Sequence, residues 1–424
     1  MKVFLQNIMR VMLEAEAKLV LRKYKPKIIA VIGTVGKTGA KDAIFSVTKE
    51  ALVADKSKKS FDNEAGLGGS ILGHDKGAPT FFFYVRNLIR GLVLLATREH
   101  YPKWLVLDIG ADKPGNISRI AKWLHPEIVI FTSFSPVPTH IEFFESAEGL
   151  LEEKAIFVKA LKSSGVLILN ADDEQVLSMQ ARTKATSITY GFSERAMFRA
   201  SNMNIVYEDN KPTGVTFKFE YEGNVFPVTM PGVLGIQPVY SALSALSLGV
   251  YLKLNIVEMI NALSGHDSAP GRMRILTGIK GATVIDDSSN SSPISALSAL
   301  QALSSIKTIG RKITVLGDML ELGKFTIEEH RKIGIIVGQE SDILVAVGPR
   351  AKYIVEGALE SGMKKKNIIE FDNSLSAGKY LEGIIKKDDI VLVNGSASMR
   401  LENVVKEIMW NQEDASRLLV RQGE

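Results

Sequence analysis

The sequence predicts an α/β protein in two lobes. A central domain over residues 27–267 has a mainly parallel sheet, a phosphate-binding loop (P-loop) and an appended β-hairpin; a C-terminal Rossmann-like α/β domain covers 268–424. Three observations predict it. Ile28-Ile29-Ala30-Val31-Ile32 run straight into the glycine turn Gly33-Thr34-Val35-Gly36, and Lys37-Thr38 then open a helical pattern through Ala40, Ala43, Ile44 and Val47. Further apolar runs at 104–107, 128–131 and 166–169 alternate with helical stretches, the pattern of a parallel sheet covered on both faces. After Ala269-Pro270-Gly271-Arg272 the alternation starts again, with strand-like runs at 283–285, 313–316, 343–347, 368–371 and 390–393.

In chain order, residues 1–26 read as an N-terminal amphipathic helix. Phe4, Ile8, Val11, Met12, Ala15 and Leu19 are apolar at helical spacing, with Glu14 and Glu16 between them. The unbroken apolar centre of a signal peptide is missing. Docking on the protein's own surface or a second subunit is therefore expected, with attachment to a membrane surface as the other reading. The stretch 81–96 is apolar too, but Arg86 and Arg90 interrupt it and it is too short to span a bilayer.

The turn after the first strand is the chemical centre of the reading. Glycines let backbone N–H groups approach phosphate oxygens, and the helix N-terminus adds a favourable dipole. Lys37 is expected to reach the terminal phosphates of a bound nucleotide and the Thr38 hydroxyl to ligate Mg²⁺. The longer general pattern wants a glycine where Val31 stands, and the competing reading is a tight strand-to-helix turn with a surface lysine. The carboxylate of Asp108 ends the strand at 104–107, the usual place for a second Mg²⁺-holding group beside such a loop. From about 198 to 231 the pattern changes to period two, and Glu222-Gly223-Asn224 turns 215–221 into 225–230 as a hairpin.

Bulk composition narrows the function classes. Apolar residues make up 46% and charged residues 23%, and the formal net charge of +5 is spread along the chain, so no nucleic-acid partner is called for. The absence of cysteine excludes disulfides, thiolate zinc sites and cysteine nucleophiles, and it fits a cytoplasmic setting.

Several motifs in a fixed order then carry a resemblance. They are Gly33-Thr34-Val35-Gly36-Lys37-Thr38, Phe61-Asp62-Asn63-Glu64-Ala65-Gly66, Asn170-Ala171-Asp172-Asp173 and Val284-Ile285-Asp286-Asp287-Ser288-Ser289-Asn290. Two more follow, Gly317-Asp318-Met319-Leu320-Glu321-Leu322-Gly323 with His330 after it, and Gly395-Ser396-Ala397-Ser398-Met399-Arg400. In these the chain resembles the Mur ligases, ATP-dependent amide ligases of peptidoglycan precursor synthesis. It is most similar to the subgroup that joins D-alanyl-D-alanine to a muramoyl tripeptide.

The resemblance implies carboxylate activation as an acyl phosphate followed by aminolysis, with a sugar-peptide and a dipeptide as substrates and ATP and Mg²⁺ as cofactors. It implies that Gly33 to Thr38 hold the phosphates, and that Thr38 and Asp108 serve one metal. His140 and Lys154 would serve a second, the lysine as a carbamate. Arg272 would neutralise developing phosphate charge, and Asp287 would contact the ribose or the metal's surroundings. Asn63, Asp318 and Glu321 would lie on the substrate side. Taken singly, His140 also reads as an ordinary loop histidine, Lys154 as a solvated helix lysine, Arg272 as a helix-end cation, and Asp287 as a turn former. Asp318 reads almost as readily as a helix cap.

The departures from the family pattern are as specific. The family's Gly-x-His-Asn-x-x-Asn stands here as Gly235-Ile236-Gln237-Pro238-Val239-Tyr240-Ser241, and the lysine expected before Gly395 is Asn394. Family members carry an N-terminal domain for the UDP-sugar, whereas 26 residues precede the first strand here, so weaker dependence on UDP is expected. Two alternatives stay open: the same chemistry on another carboxylate and amine pair, as in folylpolyglutamate or cyanophycin synthesis, and a nucleotide-binding scaffold that has lost catalysis.

Overall fold

Every strand of the first lobe that touches the P-loop is apolar at successive positions, because both faces of its sheet are covered. In β1 (Lys27–Ile32), Ile29 and Val31 enter one core while Ile28, Ala30 and Ile32 enter the other. The computed structural model describes residues 2–57, 64–73, 80–111, 113–266 and 268–422. The remaining strands of this sheet are β2 (Ala54–Lys56), β3 (Trp104–Asp108), β4 (Ile128–Phe131), β5 (Val166–Asn170), β6 (Thr186–Gly191), β7 (Phe198–Glu208), β8 (Lys211–Tyr221) and β9 (Asn224–Pro231). Their order is β2-β3-β1-β4-β5-β6-β7-β8-β9.

All pairings from β2 to β7 are parallel, and β7-β8 and β8-β9 are antiparallel. The appended piece is therefore larger than the expected hairpin. A third strand, β7, pairs along β8 and joins the meander to the parallel sheet. Its alternation is broken by register shifts between Ser201 and Asn204 and between Val206 and Tyr207, which hid it in the sequence.

From β1 the chain runs to β2 and β3 on one side of it and then crosses to β4 on the other. That reversal opens a crevice at the C-terminal strand ends, where α/β sheets place their ligands. The P-loop, Asp108 and Thr132 all stand there.

The second lobe holds β10 (Arg274–Thr277), β11 (Thr283–Asp287), β12 (Lys312–Gly317), β13 (Ile343–Val347), β14 (Ile368–Phe371) and β15 (Ile390–Asn394) in the order β10-β11-β15-β12-β13-β14. The five runs read from the sequence are the parallel strands, and β10 adds an antiparallel edge. The junction between the lobes is tied through the backbone. Leu234 donates to the Met273 carbonyl at 3.0 Å and Ile275 to that of Gly232 at 2.9 Å. Helix Lys2–Tyr24 packs on its own chain, but not through the expected stripe: Leu13, Ala17 and Val20 are buried in the first lobe's core, whereas Ile8, Val11, Met12, Ala15 and Leu19 are exposed. No helix among the described residues is long and apolar enough to cross a membrane.

Candidate active site

The P-loop geometry follows from two glycines. Gly33 has φ 140°, and a Cβ there would meet Thr132 Oγ1 at 2.2 Å; Gly36, with φ 84°, turns the chain into helix Lys37–Leu52. The loop is clamped to the end of β4: Thr34 donates from its backbone to the Ser133 carbonyl at 2.8 Å, and the Thr132 hydroxyl donates to Val35 O at 2.6 Å. Lys37 and Thr38 occupy the first turn of the helix, where backbone N–H groups have no partner within the helix. The Thr38 hydroxyl donates to Asp108 Oδ2 at 2.9 Å. Asp108 is 1% exposed, and its Oδ1 is buried without a hydrogen-bond partner among the described residues.

A cleft of about 810 Å³ opens in front of this loop. The P-loop, His140, Lys154, Arg272 and Glu321 all line it. Its charge is one-sided, with seven lysines and arginines against two carboxylates, a lining suited to a polyanion. Four of those cations, Lys56, Arg274, Arg417 and Arg421, carried no sequence signal. Arg274 stands on the unread strand β10, and Arg417 and Arg421 lie beyond the last strand.

Lys154 sits on the buried face of helix Ala147–Ala160 with Leu150, Leu151 and Val158, and is 3% exposed. His140 and Glu321 both have left-handed backbones, with φ 72° and 61°, and the His140 Nδ1 contacts the Glu321 carboxylate across the two lobes. The backbone N–H of Glu142 reaches Glu321 O at 3.4 Å beside them. His140 and Glu321, far apart in the chain, thus belong to one junction.

Asp287 and Asn394 are register partners on β11 and β15. The amide Nδ2 of Asn394 donates to Asp287 Oδ2 at 2.7 Å, while the backbone N–H of Met273 donates to Oδ1 at 3.2 Å. Burial pushes the Asp287 carboxyl up to about 7 despite the opposing pull of Arg272 and these hydrogen bonds. The Arg272 Nε is itself buried with no hydrogen-bond partner among the described residues.

Asp287 and Arg272 also line a smaller cavity of about 80 Å³, together with Gly36, Gln237, Ser241 and His266. That cavity is lined by all three substituted positions of the family pattern, Gln237, Pro238 and Ser241. The Tyr240 hydroxyl donates to Asp172 Oδ2 at 2.9 Å, which gives the Asn170–Asp173 turn a structural partner.

Three expected residues stand apart. Asn63 lies outside the described residues. Asp318 does not line the cleft; its Oδ1 accepts the backbone N–H groups of Arg350 and Ala351, at 2.9 Å each, at the start of helix Lys352–Glu360. His330 is fully buried. Its Nε2 accepts from the Met319 backbone at 2.9 Å and its Nδ1 faces the Thr326 carbonyl at 2.6 Å, so Nδ1 carries the proton.

Burial pushes the His330 pKa down to about 4. Below about pH 6.5 the unfolded chain takes up a proton that the folded one refuses, so stability falls as the pH drops from about 6.5 towards 4. The expected loss is about 3 kcal/mol. Urea unfolding at both ends of that window should show it, and His330→Gln should flatten the difference; an unchanged slope would remove His330 as its cause.

No group of three or more histidine, aspartate, glutamate or cysteine side chains among the described residues could cage a metal. A hard cation here would take the Thr38 hydroxyl, Asp108 and the phosphates of a nucleotide as donors. The buried, unpartnered Oδ1 of Asp108 fits that role.

Known proteins similar to this chain span both lobes. The profile of the Mur ligase middle domain matches residues 31–249, and that of the Mur ligase glutamate ligase domain matches 271–397. The UDP-N-acetylmuramoyl-tripeptide–D-alanyl-D-alanine ligase of Bacillus subtilis is 26% identical over 398 residues, covering 94% of this chain and 79% of the relative. Its counterpart in Mycobacterium leprae is 28% identical, covering 88% and 72%. Among solved structures, the MurF ligase of Thermotoga maritima in complex with ADP superposes with a TM-score of 0.76 at 22% identity, covering 96% of this chain and 84% of that one.

Proposed function

The chain belongs to the Mur ligase family of ATP-dependent ligases, and from that premise we propose that it joins D-alanyl-D-alanine to a muramoyl-tripeptide carboxylate in the cytoplasm. The observation that carries this reading is the basic cleft lined by the P-loop, His140 and Lys154 of the first lobe and by Arg272 and Glu321 of the second. The names of the Bacillus and Mycobacterium relatives support the substrate pair.

The carboxylate oxygen attacks the γ-phosphorus of ATP, giving an acyl phosphate and ADP. The dipeptide's amine then adds to the acyl carbon, phosphate leaves, and the nitrogen loses a proton. Such transfers need positioning and charge neutralisation more than covalent help from the protein. The N–H groups of Gly33 to Thr38 and the Lys37 ammonium hold the phosphates. Mg²⁺, when bound, neutralises charge on the phosphate oxygens. Thr38 and Asp108 would hold one such ion, and His140 with a carbamylated Lys154 would serve a second. Asp287 is placed to meet the nucleotide from the second lobe, with Asn394 keeping its carboxyl oriented. Asn63 and Asp318 are assigned to the substrate side through the segments that carry them, and Glu321 through its place in the cleft.

Steady-state ADP release tests the proposal. It should require both a muramoyl tripeptide and D-alanyl-D-alanine; release with neither, or with a different acid and amine only, would reject the substrate assignment. Arg272 is expected to act on charge that develops in transfer. Arg272→Ala should therefore lower kcat more than it raises the KM for ATP. A change confined to KM would make it a binding residue only.

A further inference from the structure

We propose that the outward faces of helices Lys2–Tyr24 and Phe81–Ala96 form a docking surface for an anionic lipid bilayer. These helices lie side by side. Glu16 packs against Gly91, and Lys23 Nζ and the Tyr24 hydroxyl both donate to the Leu94 carbonyl, at 2.8 and 2.9 Å. Each has a buried apolar face and, unusually, an exposed one.

On Phe81–Ala96 the inner face is Phe83, Tyr84, Asn87, Gly91 and Leu94. At 3.6 residues per turn the opposite side presents Phe81, Phe82, Ile89 and Leu92, which are 61%, 73%, 58% and 59% exposed. On Lys2–Tyr24, Met9, Leu13, Ala17 and Val20 point inward, and Ile8, Val11, Met12 and Leu19 are exposed. These two helices thus supply eight of the nineteen exposed large hydrophobic side chains found among the described residues. A solvated helix carries polar groups on that side. Patches of this kind mark interaction sites.

Charge selects the occupant. Residues 8–25 and 80–99 hold eight lysines and arginines against three glutamates, an excess of five that equals the formal net charge of the whole chain. Glu14 and Glu99 are paired with Lys18 and Arg90, and Glu16 is turned inward against Gly91. Arg22, Lys25 and Arg98 are exposed where the two helices end. An apolar face rimmed by cations matches the interfacial region of a membrane rich in anionic lipid. A second copy of the same face across a two-fold axis would bring those cations against themselves, which disfavours a dimer. Neither helix crosses the bilayer; both would lie in its surface.

The test is flotation of the full chain with vesicles of phosphatidylcholine alone and with added phosphatidylglycerol. Binding should need the anionic lipid and weaken with salt. Phe82→Glu with Ile89→Glu should reduce it by roughly tenfold or more, and Arg22→Glu with Lys25→Glu should reduce it while leaving the apolar area intact. All four side chains are exposed, so ATP-dependent ligation and the unfolding midpoint should be unchanged. Failure of the wild-type chain to float with anionic vesicles would overturn the proposal, as would binding indifferent to both pairs. A dimer in light scattering that the Phe82 and Ile89 changes dissolve would make the face a subunit interface instead. Because these residues lie outside the cleft, failure here leaves the ligase reading standing.

Discussion

Lys37→Ala should lower kcat/KM for ATP by roughly 10³-fold while the urea midpoint stays where it is. The residue opens helix Lys37–Leu52, lines the cleft, and is absent from the hydrophobic cores. Its removal deletes a cation from the phosphate side and takes nothing from the packing. The backbone N–H groups of Gly33 to Thr38 remain, so residual nucleotide binding is expected with the transfer step most damaged. Isothermal titration with ADP beside steady-state ligation separates the two effects. A variant that ligates at the parental rate would mean that the turn positions phosphate without its lysine, and the P-loop assignment would fall.

The P-loop could be read because its chemistry is local. Strand, glycines, Lys37, Thr38 and helix are contiguous, and each type is required by the backbone geometry or the phosphate. The parallel strands were legible for a related reason: burial on both faces makes 28–32, 128–131 and 390–393 continuously apolar. β7 was hidden because it is long, half-exposed and bulged.

The cleft's second half was harder to read because it is assembled by tertiary contacts. Nothing in the sequence places Arg417 and Arg421 in one cleft with Lys37, or His140 against Glu321. Asp318 and His330 show the opposite difficulty. A motif names them, yet their polar atoms are spent on the backbone of Arg350, Ala351, Met319 and Thr326. A motif residue can therefore hold the loop that carries a site without itself touching what the site binds. Asn394 adds a case in which a departure has a structural account, since its amide holds Asp287 from the neighbouring strand.

Lys154 is the position where a chemical modification is expected to decide activity. It lies on the inward face of its helix, 3% exposed, yet it lines a cleft that already contains six other lysines and arginines. An ammonium cannot ligate a cation. The neutral amine can add to CO₂: the nitrogen lone pair forms an N–C bond, one proton leaves to solvent, and the product is a carbamate anion. That change turns a cation into an oxygen donor beside His140.

Lys154→Ala should accordingly lower ligation by roughly 10²-fold or more, with the unfolding midpoint measured alongside to exclude a folding defect. Wild-type enzyme assayed in buffer purged of CO₂ and bicarbonate should slow, and added bicarbonate should restore it. After equilibration with ¹³C-bicarbonate, a carbamate resonance should appear in the wild type and be missing from Lys154→Ala. Full activity of the alanine variant, or a rate indifferent to CO₂ with no such resonance, would return Lys154 to the role of a buried structural lysine.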